Sequence, residues 1–336
     1  MRTSVVLATC DSARHLCDLL DSLRRQTQPP FELVVEDDGS TDETRELLSG
    51  FAAEAEFPVR CEFHATRRGH AEAFLRGAQR AGGDAIAFCD HDDVWEPHKL
   101  AACGAELDRT SAMLVLHTTR LVDEALRDLT TQWPPVGPAR VIPPLGLVGI
   151  DVDTPGLTMV FRRELLAVFD ADSRPRSRYE RDGQMLHDEW VSFTGGVLGS
   201  IAILPEPLVR YRQHGSNQSG WVPRERETAL RPALDHYEFA AEYLGGCARY
   251  LETAAHGSNR ALIEAGAAAY RHAGERWALR AELYRTKGRG RRMRLLARLV
   301  AGHAYGARAG GGFGRASLAK DVTAGIALHV SADDRR

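Results

Sequence analysis

Between Thr3 and His117 five short, apolar runs alternate with stretches of helical spacing, and few folds absorb that pattern. The runs are 3–8 (TSVVLA), 31–36 (FELVVE), 58–63, 84–89 (DAIAFC) and 113–117 (MLVLH). Between them Leu16, Leu19, Leu20 and Leu23 predict a helix over 13–26. A second helix opens near Ser40, where Glu43 three residues on predicts a capping box. A third covers about 70–81, and a fourth runs from Pro97, which suits a first helical turn, to about Asp108. Strands separated by helices of about ten residues predict an α/β fold, a mostly parallel Rossmann-like sheet with helices on both faces. The Pro-rich stretch 133–156 predicts a structured loop, 184–199 a helix, and 201–204 (IAIL) a late strand ahead of Pro205 and Pro207. Beyond about Glu225 Ala, Glu, Arg and Leu dominate. The expected division is therefore one domain over 1–220 and a mainly helical region over 221–336.

Two strand ends carry a heavy load of carboxylates. FELVVE runs into Asp37-Asp38-Gly39-Ser40-Thr41-Asp42, and DAIAFC runs into Asp90-His91-Asp92-Asp93. In open parallel sheets ligands bind just outside the carboxyl ends of strands. Like charges this close repel and raise one another's pKa, so a positive partner is expected beside them. Clustered oxygen donors suit a hard cation held together with substrate phosphates. A polar turn capped by Ser40 would leave Asp37 and Asp38 without a task. A solvated turn is the alternative for the second cluster, but two acidic turns at neighbouring strand ends favour a ligand site. Downstream, His187-Asp188-Glu189-Trp190 offers an acid/base group. Tyr211-Arg212-Gln213-His214 offers Arg212 and His214 to phosphates or a metal, or else forms a solvated turn.

Composition removes several classes. Lysine and arginine number 43 against 46 acidic residues, a net charge of −3, so nucleic acid is not an expected partner. Six cysteines form no CxxC pair, which points to a reducing compartment rather than a disulfide framework. The first strand-like run begins at Thr3, leaving no room for a signal peptide, and no apolar stretch reaches the ~18 residues that span a bilayer. A cytoplasmic protein is expected.

Taken in order, VVLATCDS, ELVVEDDGSTDET, GDAIAFCDHDDVWEPHKL, HDEW and EPLVRYRQHGSNQSG resemble glycosyltransferase family 2, inverting enzymes with the GT-A fold. The resemblance covers most of residues 3–220. It implies a nucleotide-diphosphate sugar as donor and a divalent metal, Mg2+ or Mn2+, as cofactor. Thr9 and Asp38, with Asp37 beside them, match the positions that contact the nucleotide's base and ribose. Asp90-His91-Asp92 matches the DxD motif, with Asp90 among the nucleotide-binding residues and Asp92 binding the metal. Asp188 matches the general base. His214 lies in a motif that, in related enzymes, folds over the diphosphate and can ligate the metal. Asp11 stands where the family often has Asn, and no Asn occurs near Leu75 or Arg76, which bears on how the donor is held. The implied acceptor is a hydroxyl on a glycan, a lipid-linked compound, a peptide or a small metabolite. One alternative is a metal-dependent nucleotidyl or phosphoryl transferase, against which HDEW and YRQHG speak. Another is a catalytically silent sugar-nucleotide-binding protein, against which intact Asp92 and Asp188 speak.

Residues 285–298 (RTKGRGRRMRLLAR) carry seven basic side chains and no acid. Two readings stand: a solvated helix face, or a peripheral membrane contact with Leu295, Leu296 and Leu299 on the apolar side. The glycine run at 310–314 follows no clear strand and reads as a flexible loop.

Overall fold

The computed structural model describes residues 1–149, 154–179, 182–215, 217, 234–306 and 312–323. The chain divides into two compact units. The first comprises Met1–Pro143, Asp153–Ser173 and Leu186–Val222; the second comprises Pro144–Val152, Arg174–Met185 and Pro223–Arg336.

A ten-stranded sheet forms the first unit: β1 (Thr3–Thr9), β2 (Glu32–Asp37), β3 (Val59–Phe63), β4 (Ala85–Cys89), β5 (Val94–Trp95), β6 (Leu114–Val122), β7 (Asp128–Trp133), β8 (Arg140–Ile142), β9 (Met159–Arg162) and β10 (Ile201–Arg212). The spatial order is β3-β2-β1-β4-β9-β6-β10-β5, with β7 beside β6 and β8 beside β10. β1 to β4 are parallel, each crossover returning through a helix: α1 (Ala13–Arg24), α2 (Thr44–Glu54) and α3 (His70–Arg80). The other half is mixed, with β9 antiparallel between β4 and β6 while β10 runs parallel to β6. Thr9 lies opposite Asp37 and Leu7 opposite Cys89, so the turns after β1, β2 and β4 leave the sheet along one edge.

The leucine stripe of α1 is buried as its spacing predicts, Leu16, Leu19 and Leu23 joining Val5, Leu7, Val35 and Ala87 in one core. Each such side chain contributes ~1.5–3 kcal/mol on burial. α3 approaches β1 closely because residue 77 is glycine; a Cβ there would lie 2.5 Å from Val6 Cγ1.

The capping box expected at Ser40 and Glu43 does not form; α2 begins at Thr44 without it. Ser40 is drawn instead to Asp37, donating its hydroxyl to Oδ2. Asp42 takes over the helix start, accepting from the Thr44 backbone N–H (3.1 Å) and hydroxyl (2.5 Å), and its other oxygen accepts from Ala13 N–H at the start of α1 (3.0 Å). One carboxylate thus serves two helix N-termini, where negative charge is favoured. The late strand continues past Leu204 to Arg212 because register shifts on either side of Pro207 accommodate the prolines.

The second unit holds α6 (Leu234–Ala254), α7 (Arg260–Arg285), α8 (Arg289–Ala301) and α9 (Arg315–Val322). Tyr237, Leu244 and Leu251 of α6 and Ile263, Tyr270 and Trp277 of α7 are buried. Asp321 ties α9 to α7: its carboxylate lies 2.9 Å from Arg280 and accepts the hydroxyls of Tyr284 (2.8 Å) and Tyr305 (2.7 Å). Rings of Tyr237 and Phe313 cover the Arg280 guanidinium at 4.6 and 4.5 Å. Of the glycine run, Gly310 and Gly311 lie outside the described residues. Among the described residues no helix is long and apolar enough to cross a membrane.

Candidate active site

Arg212 pins the turn after β4 from beneath. Asp92, Asp93 and Arg212 are all buried. Arg212 Nε donates to the Asp92 carbonyl (2.8 Å), Nη1 to the Glu124 carbonyl (2.6 Å) and Nη2 to the Asp18 carboxylate (2.8 Å). Its backbone N–H donates to Asp93 Oδ1 (3.0 Å). Arg212 therefore shapes the turn, and the reading that gave it to a phosphate loses its support. His214 does reach the cluster, with Nε2 2.9 Å from Asp92 Oδ2, and Asn217 Nδ2 lies 3.4 Å from the same oxygen. The His15 ring of α1 packs on that of His214 at 5.0 Å. Ser216 and residues 218–220 of the same motif lie outside the described residues.

Burial, then the charges of Asp92 and Asp188, push the Asp90 carboxyl up to about 7. Burial also holds Asp93 well above the carboxylate range, and its Oδ2 has no hydrogen-bond partner among the described residues. A buried lysine that sequence reasoning missed answers part of this charge. Lys99 opens α4 (Lys99–Thr110), donates from Nζ to the Leu157 carbonyl (2.9 Å) and lies 3.6 Å from the Trp95 ring centre. Burial brings it down to about 8 even with cysteines and aspartates near. With Arg212 already paired to Asp18, one lysine against Asp90, Asp92 and Asp93 leaves the turn short of positive charge. Hard oxygens with an imidazole alongside are a donor set that fits a divalent metal. Among the described residues no group of three or more His, Cys, Asp or Glu forms a ready-made cage.

Helix α5 (His187–Leu198) separates three adjacent titratable residues. The His187 ring is buried, stacked on Phe74 at 4.2 Å and edge-on to Phe88 at 5.0 Å. Glu189 is 2% exposed and turns back to accept the Leu186 N–H at 3.0 Å, closing the helix start. Asp188 accepts the Glu189 N–H at 2.8 Å and lies near enough to Asp90 for its charge to raise that carboxyl. Consecutive helical side chains diverge by ~100°. Of the three, Asp188 is the one whose charge raises the Asp90 carboxyl.

Thr9, Asp37 and Asp38 gather where β1 and β2 end, and their side chains are differently engaged. Buried Asp37 accepts from Thr9 Oγ1 (3.0 Å), Arg45 Nε (2.8 Å) and the Ser40 N–H (3.2 Å) and hydroxyl. Asp38 accepts the backbone N–H groups of Arg68 (2.8 Å) and Gly69 (2.7 Å). Arg76, in the stretch that lacks the expected Asn, reaches within 3.5 Å of Glu36 and 3.8 Å of Asp38. Asp11 accepts the Thr41 N–H at 2.7 Å and pairs with Arg67.

The sequence matches the family model described as Glycosyl transferase family 2 over residues 4–174. The uncharacterized glycosyltransferase alr2836 of Nostoc sp. is 32% identical over 223 residues, 65% of this chain and 66% of the relative. The uncharacterized glycosyltransferase YwdF of Bacillus subtilis is 30% identical over 108 residues, 32% of this chain and 39% of YwdF. The chain thus spans 66% of the length of the first relative and 39% of the second. Among solved structures, S. aureus TarS 1-349 in complex with UDP-GlcNAc aligns with a TM-score of 0.56 at 18% identity, over 90% of this chain and 81% of that one. The shared fold is GT-A.

Proposed function

The chain belongs to glycosyltransferase family 2, and from that premise we propose that it moves a sugar from a nucleotide-diphosphate donor to an acceptor hydroxyl with inversion at the anomeric carbon. The catalytic domain is assigned to 1–220 and the helical appendage to 221–336. A nucleotide-sugar donor is supported by the UDP-GlcNAc in TarS, whose fold this chain shares.

One observation carries the reading: Asp188 stands within electrostatic reach of Asp90 while His187 and Glu189 are engaged in packing and capping. An attacking hydroxyl must lose its proton, and Asp188 is the carboxylate assigned to take it, contributing ~10²–10⁴-fold. Asp92 and His214 would hold the divalent metal, Mg2+ or Mn2+, which when bound neutralises charge on the departing diphosphate. Asp90 and Asp38 are assigned to orienting the donor. Thr9 and Asp37 are assigned to the donor nucleotide with them, and their shared hydrogen bond holds the turn in shape. Displacement in one step, from the face opposite the leaving group, inverts the centre.

The test is a thermal-shift and hydrolysis screen of sugar nucleotides with Mn2+ or Mg2+. A donor at a hundredfold its Kd should stabilise the fold by ~2.7 kcal/mol. If no sugar nucleotide shifts the melting point with either metal, the reading fails.

A further inference from the structure

Helix α8 carries two apolar stripes, and the fold covers one of them. Leu295 and Leu299 face inward at 4% and 1% exposure, beside Arg292, whose Nε donates to the Thr286 carbonyl at 2.6 Å. This corrects part of the sequence expectation for Leu295, Leu296 and Leu299: the first and last are enclosed by the protein, and Leu296 is half-buried. At ~100° per residue the opposite side is formed by Met293, Ala297, Val300 and Ala301, spaced i, i+4, i+7, i+8. All four are exposed, Met293 at 54% and Val300 at 49%. Arg289 flanks this stripe on one side, and Arg294 and Arg298 flank it on the other. These three arginines are exposed and form no ion pair among the described residues, whereas Arg291 is paired with Glu282 and Arg285 with Glu238.

We propose that this outward face docks on an anionic lipid surface, the arginines meeting headgroup phosphates while Met293 and Val300 enter the interface. The apolar stripe decides for lipid over nucleic acid. It would gain nothing on a phosphate lattice, and it is covered at the headgroup boundary of a bilayer. Residues 285–301 also contain no aromatic ring to stack on a base. The inference does not depend on the transferase reading, and either can fail alone.

The intact chain is floated with phosphatidylcholine vesicles, with and without phosphatidylglycerol. Binding is expected to the anionic vesicles and not to the neutral ones, and to weaken with added salt. The triple variant Arg289→Gln, Arg294→Gln, Arg298→Gln should partition roughly a hundredfold less, about fivefold for each charge. The pair Met293→Ser, Val300→Ser should lower partition severalfold at unchanged charge. Both variants should melt with the wild type, since these side chains lie on the surface. Three results would each overturn the proposal: a wild type that ignores anionic vesicles, a triple variant that binds as wild type does, or a serine pair that binds normally while duplex DNA competes the vesicles away.

Discussion

His214 Nε2 stands 2.9 Å from Asp92 Oδ2 although 122 positions separate the two residues in the chain. The contact follows from the sheet: β10 runs antiparallel to β5, Val209 opposite Trp95 and Arg210 opposite Val94, which carries the strand's end to the acidic turn.

Asp92→Ala should abolish transfer and sharply weaken metal-assisted binding of a nucleoside diphosphate, as read by calorimetry with and without Mn2+. Full activity in chelator, with no metal carried through purification, would remove the metal assignment.

The Asp90 carboxyl is raised from 3.8 to about 7, so between those values the folded chain holds a proton that the unfolded chain has released. Stability therefore falls as pH rises through that window. Asp93 is shifted in the same direction. Asp90→Asn removes one contribution, so its melting point should drop less than that of the wild type across this range. Its relative gain should be largest above pH ~7. Parallel curves for the two proteins would contradict the shift.

Arg212→Met deprives two carbonyls and the Asp18 carboxylate of their donor. A loss of ~2–4 kcal/mol is expected in urea unfolding, since hydrogen bonds from charged groups contribute ~1.5–3 kcal/mol each and Asp18 keeps partial access to water. Arg212→Lys should rescue little, because one ammonium cannot span acceptors arranged around a planar fork.

In the second unit, Asp321→Leu leaves the Arg280 guanidinium buried without its carboxylate, and ~3–5 kcal/mol should be lost. Combining it with Arg280→Met should recover much of that loss, because an apolar pair of similar volume replaces the ion pair. Thermal unfolding of both variants measures the difference, and a double variant no better than Asp321→Leu would argue against a charge-burial origin.

What was legible in the sequence was set by local spacing. The α1 leucine stripe and the strands feeding both acidic turns follow from periods of 3.6 and 2, which tertiary context did not override. Ser40 shows the opposite case. Its capping box is correct by motif, yet buried Asp37 accepts the hydroxyl first. The four-residue β9 has no pattern to separate it from a loop, and only its neighbours β4 and β6 make it a strand. The roles of Lys99 and Arg212 depend on partners such as Leu157, Asp18 and Glu124, far away in the chain, that no motif contains.

The sequence alone leaves three rivals for the base in HDEW, and the fold gives each different surroundings. The His187 ring is buried in an aromatic stack, packed on Phe74 and edge-on to Phe88. Glu189 closes the helix start through the Leu186 N–H. Glu189→Gln can keep that hydrogen bond, so it should retain transfer, while Glu189→Ala should cost ~1 kcal/mol of stability, as capping losses do. Asp188→Asn preserves shape and the bond from the Glu189 N–H while removing basicity. Transfer to the acceptor should fall by ~10²-fold or more, while nucleotide affinity stays near wild type because Asp38, Asp92 and His214 are untouched. Measured side by side in single-turnover assays, normal transfer by Asp188→Asn with a collapse in Glu189→Gln would move the base to the neighbouring carboxylate.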